Sequence, residues 1–85
     1  MTEPKTPPDD GIADLALLIL EWLGEQGIDA LLRVDAARLA ERRPAWTFAA
    51  SGGPLEHGLR ADGRDPAECL TRAVARLREL GVDVP

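Results

Sequence analysis

The stretch Leu59-Arg60-Ala61-Asp62-Gly63-Arg64-Asp65-Pro66-Ala67-Glu68-Cys69-Leu70 reads as a strand, a turn and the start of a helix. Leu59 and Ala61 alternate with Arg60 and Asp62, the period-2 pattern of a half-buried strand. Asp65 then stands at an N-cap position, Pro66 at the first helical position and Glu68 at the third, which is a capping-box arrangement. Leu70, Ala73, Val74, Leu77 and Leu80 follow at helical spacing, and Gly81 supplies the stop. On the outer face Glu68 stands four residues before Arg72, and Arg76 three before Glu79, so these charges can pair in solvent. A strand that runs straight into an amphipathic helix needs further strands beside it.

Those strands are found upstream. Trp46, Phe48 and Ala50 alternate with Thr47, Ala49 and Ser51, which predicts a strand with its aromatic residues turned to the core, ended by Ser51-Gly52-Gly53-Pro54. In Ile28 to Val34, Ala30, Leu32 and Val34 alternate with Leu31, Arg33 and Asp35, a second such pattern. Between the two, Asp35 to Pro44 carries strong helix formers behind an Asp and stops at a proline, which fits either a short helix or an arginine-rich hairpin arm. Further out, Ile12, Leu15, Ala16, Ile19 and Leu23 predict a helix over 11–26, with Asp10 as its cap and Gly27 as its terminator. Residues 1–9, with three prolines and nothing to bury, are expected to be a disordered tail, leaving 10–85 as a single domain. The order helix, strand, strand, strand, helix predicts an α+β two-layer sandwich, a three-stranded antiparallel sheet with two helices on one face.

Composition bounds the function. The chain has 85 residues, 45% of them hydrophobic and 29% charged, enough for one core and too few for two. Nine arginines against the single Lys5 suggest a GC-rich, bacterial genome, and the net charge of −5 repels nucleic-acid phosphate unless arginines cluster. Cys69 is alone, so no disulfide forms within one chain, and a reducing cytoplasm is the expected location. The first ten residues lack the apolar segment of a signal peptide, and the longest apolar stretch, Ile12 to Leu23, is interrupted by Asp14 and Glu21 and falls short of a membrane span.

No catalytic constellation is legible, so no catalytic residue, metal or cofactor is expected. His57 lies in a turn-rich loop, and nothing in the spacing places it beside Cys69 or Glu56. Cys69 sits beside the helical core stripe, where a small half-buried hydrophobe fits. Ser51-Gly52-Gly53 matches no phosphate-binding pattern. Arg38, Arg42 and Arg43 form the one dense basic group and are the candidate anion-binding residues, with Arg33 and Arg60 on the open face of the sheet.

The order of elements over residues 11–81 resembles that of the double-stranded-RNA-binding domain. That family grips phosphate with lysines at the start of its second helix, where this chain has Arg64-Asp65-Pro66-Ala67-Glu68. Its Gly-Pro-x-His motif belongs between the first two strands, whereas Gly53, Pro54 and His57 lie after the second. The resemblance therefore implies topology without RNA binding. Locally, Gly63 to Leu70 is similar to the strand-turn-helix of HicB-type antitoxins, which implies a protein partner.

The first helix carries the remaining signal. Beyond its core stripe, Ala13, Leu17, Leu20 and Gly24 form an apolar stripe on one flank, and Leu18 with Trp22 lies on the other. An apolar surface wider than one small sheet can cover predicts an interface, with a protein partner or a second copy of the chain docked on Ala13, Leu17, Leu18, Leu20 and Gly24. A protein-interaction module is the leading expectation, and a degenerate nucleic-acid-binding domain the alternative.

Overall fold

The computed structural model describes residues 11–84, and the expected tail and the Asp10 cap lie outside them. The elements run α1 (Gly11–Glu25), β1 (Asp29–Val34), α2 (Ala36–Ala40), β2 (Trp46–Ser51), β3 (Leu59–Gly63) and α3 (Pro66–Glu79). The strands form one antiparallel sheet in the order β1-β2-β3, an α+β fold as expected. Leu32 of β1 and Ala61 of β3 flank Phe48 at its centre.

The stretch left open between β1 and β2 is helical. Asp35 accepts a bond from the Arg38 amide at 2.9 Å and so caps α2, but Pro44 leaves it little more than a turn. Its last carbonyls are satisfied by a reversed turn in which the Arg43 amide bonds the Arg38 carbonyl at 2.9 Å and Arg42 takes the left-handed conformation, φ 56°. The same device ends α1, with Gly27 at φ 80° and the Ile28 amide on the Leu23 carbonyl. At the other end of the sheet the Asp65 carboxylate accepts from the Glu68 amide at 2.8 Å, and Pro66 follows at the first position of α3.

The core lies between the sheet and the two long helices. Ile19 and Leu23 of α1, Phe48 and Ala50 of β2, Leu59 and Ala61 of β3, and Leu70, Ala73 and Leu77 of α3 are all buried. Leu55, from the loop between β2 and β3, folds back into the same cluster. Three expectations need correction. Trp46 is half-buried rather than core, because it sits at the sheet's end opposite Val34 and Gly63. Leu20 is half-buried against the core alongside Ala30 and Leu32, so it belongs in part to the packing of α1 on β1. Cys69 is fully buried, its thiol donating to the Ala61 carbonyl at 3.4 Å.

Candidate interaction surface

Two surfaces gather the residues singled out in the sequence. The first is the side of α1 that faces away from α3. Ile12, Leu15 and Ile19 line a groove of about 490 Å³ against Leu70, Val74 and Arg78 of α3, so this side of α1 faces α3, although Leu15, expected in the core stripe, stays exposed in the groove. At 100° per residue, Ala13, Leu17, Leu20 and Gly24 fall on the opposite flank. Ala13, Leu17 and Gly24 are exposed, Leu17 by 66%. A methyl group built on Gly24 would meet no atom within 4 Å.

Leu18 is also exposed but turns to the other flank, with Trp22. That flank is held to residues 82–84: the Trp22 indole donates to the Asp83 carbonyl at 2.8 Å, and the Gln26 amide to the same oxygen at 3.1 Å. Beside the Leu17 flank lies β1, whose Leu31 and Val34 remain 48% and 43% exposed. Sequence reasoning missed these two, since alternation marks the face of a residue and not whether its strand is at an edge.

The second surface is the face of the sheet opposite α1 and α3. Arg33, Arg38, Arg43 and Arg60 surround a shallow depression of about 550 Å³ with Asp35, Asp62 and Thr47. Arg38, its side chain only 16% exposed, lies flat across it. Its guanidinium donates to Thr47 Oγ1 at 2.7 Å and to Asp62 at 3.4 Å, and pairs with Asp35 at 3.4 Å. Thr47 in turn donates to Asp62 at 2.6 Å, which satisfies a hydroxyl buried beneath the arginine. Arg60 pairs with the same carboxylate, Arg33 with Asp35, and Arg43 with Glu41. Arg42 is exposed and lies outside this depression. The cluster is thus internally compensated, and Arg38 acts as a cover over the sheet instead of a free cation.

The hydrogen bond from Thr47 holds the Asp62 carboxyl below its ordinary range, and the Arg38 amide does the same for Asp35. Groups with lowered native pKa values add stability above the unfolded value and lose it as pH falls through the native one. Acid unfolding is therefore expected to begin below about pH 4. In an Asp62→Asn variant the dependence should be shallower there and unchanged at neutral pH; a two-state urea series at several pH values reads both.

His57 is exposed in the 52–58 loop, while burial pushes the Cys69 thiol up and away from nucleophilic chemistry. Among the described residues no group of three His, Cys, Asp or Glu side chains is placed to hold a metal ion. None of their helices is long and apolar enough to cross a membrane. Comparison with protein-family models, with curated proteins and with solved structures finds no match to this chain.

Proposed function

We propose that the chain is a small non-enzymatic protein-interaction module, of the accessory, immunity or antitoxin-like kind, that acts by occupying a protein surface with the α1–β1 side. The observation that carries this reading is the exposure of Ala13, Leu17 and Gly24 along one flank of α1, beside an edge strand whose Val34 is exposed on the helix side and Leu31 on the outer face. Scattered exposed leucines are ordinary, but a contiguous stripe rimmed by charge marks an interface. Asp14, Glu21 and Glu25 supply that rim on α1.

A second reading, nucleic-acid binding through Arg33, Arg38, Arg42, Arg43 and Arg60, has the depression on the outer sheet face behind it. Four of these five side chains are already paired with carboxylates of the same chain, and the net charge is −5, so it ranks second.

A photoreactive amino acid at position 17, activated in cells that express the protein, tests the first reading. A discrete protein adduct, absent when the same probe replaces Arg64 in the exposed turn before α3, is expected. A nucleic-acid adduct, or none at position 17, would remove the proposal.

A further inference from the structure

We propose that the partner of the α1–β1 side is a second copy of this chain, the open edges of two β1 strands pairing antiparallel about Leu31 to join two sheets into one of six strands. This rests on the reading of that side as a protein-binding surface and names its occupant.

The two edges of the sheet are treated differently. On β3, a side chain of α3 occupies an outward backbone carbonyl, Arg72 bonding that of Asp62 at 3.1 Å. On β1, among the described residues, no strand and no side chain bonds the outer backbone edge. The Asp35 amide bonds the Ala45 carbonyl at 2.8 Å, which sets the phase of the ladder. Arg33, Leu31 and Asp29 therefore bond toward β2, and Ala30, Leu32 and Val34 aim their N–H and C=O groups outward. Such an edge recruits another strand unless something blunts it, and β1 contains neither a proline nor a bulge.

The residues of β1 then select the partner. A two-fold axis normal to the sheet keeps both helix layers on one face, so opposing residues share a face and their numbers sum to an even value. Centring on Leu31 sets Asp29 against Arg33 of the second copy, twice, with Leu31 against Leu31 between them on the outer face. On the inner face Ala30 meets Leu32, twice, and Val34 falls beyond the partner strand beside its buried Ile28. Every contact is either oppositely charged or apolar. Centring on Leu32 would oppose Asp29 to Asp35, and centring on Ala30 would set Asp29 against Leu31. Only the first register is self-complementary. In it Ala30 and Leu32 form the hydrogen-bonded pairs, consistent with their outward amides, and the charged pairs fall where side chains come closest. The exposed flank of Leu17, Ala13 and Gly24 lies on the side of α1 away from α3 and would add to the contact with its symmetry mate.

The register makes a mixing experiment decisive. Asp29→Arg and Arg33→Asp, each alone, turn both cross-strand ion pairs repulsive, and each should weaken self-association about tenfold or more by sedimentation equilibrium. Of the two variants, one carries arginine at both positions and the other aspartate at both. Mixed in equal amounts they make both cross-strand pairs oppositely charged again, and a heterodimer of wild-type affinity is expected. Independently, Leu31→Cys should form an intermolecular disulfide on mild oxidation, since the two positions face one another, and Arg33→Cys should not. Wild-type protein that sediments as a monomer throughout, or a mixture no tighter than either variant alone, or cross-linking at 33 in place of 31, would each overturn the homodimer. A monomer whose position-17 probe still captures a different protein would overturn this inference and leave the interaction-module reading standing.

Discussion

Gly63→Ala should abolish the cooperative unfolding transition or lower its midpoint severely, a loss of more than about 3 kcal/mol. At this glycine the end of β3 passes directly over the first turn of α3. An added Cβ would lie 2.7 Å from Cys69 Cα and 3.0 Å from Cys69 Cβ, and closer still to the Cys69 amide nitrogen. Two of these three atoms belong to the backbone, so no rotamer change relieves the clash. The Cys69 amide is also the donor of the first helical bond, to the Asp65 carbonyl at 3.1 Å. Movement of α3 would therefore strain the cap built by Asp65, and movement of β3 would withdraw Ala61 from the core. Total stability at this length is roughly 4–13 kcal/mol, so the variant sits at or past the edge of folding. Adding Cys69→Ala to it should bring no recovery, because the obstruction is main chain. A urea titration followed by circular dichroism decides the point; a midpoint within a few tenths molar of wild type would show that the strand and helix can separate freely.

Phe48→Ala is expected to cost about 3–5 kcal/mol. Phe48 is fully buried, the largest side chain in the core, and it lies on the middle strand between Leu32 and Ala61. Its neighbours across the strands are anchored in the ladder, and α3 above it is capped by Asp65 at its start, so the cavity collapses only in part. Phe48→Leu, which retains most of the volume, should recover the larger part. Equal losses for the two variants would mean that ring geometry, not volume, sustains the core.

How much of this was legible depended on the range of the interaction. The cap of α3 is written in four consecutive residues, Asp65 to Glu68, and could be read directly, as could the pairing of Arg72 with Glu68, found at 3.4 Å. The strands followed from alternation around Phe48 and Leu59. What escaped was set by contacts between distant segments. Thr47 belongs by alternation to the outer face, yet it is buried because Arg38 and Asp62, 9 residues before it and 15 after, meet over it. Cys69 is fully enclosed because Gly63 lets the strand approach, a relation that spacing within a helix does not reveal. Trp46 and Phe48 share a face but not a depth, since depth depends on which strand neighbours extend past them. On α1 the apolar stripes were visible, but the division of Leu20 from Leu17 depended on where β1 ends the sheet.

The strand order also bears on how the chain is made. Each strand bonds only its neighbour in sequence, so the sheet closes through short loops and can assemble as the chain lengthens. The helices are different: α1 is synthesised first and α3 last, and the core needs Leu23 from one and Leu77 from the other. Until α3 leaves the ribosome, α1 lacks one of the elements it packs against, at synthesis rates of about 5–20 residues per second a wait of several seconds. During that interval Ile19 and Leu23, which finally pack against α3 and its strands, stand open beside the leucines that finally face outward, and the nascent chain has its widest apolar surface.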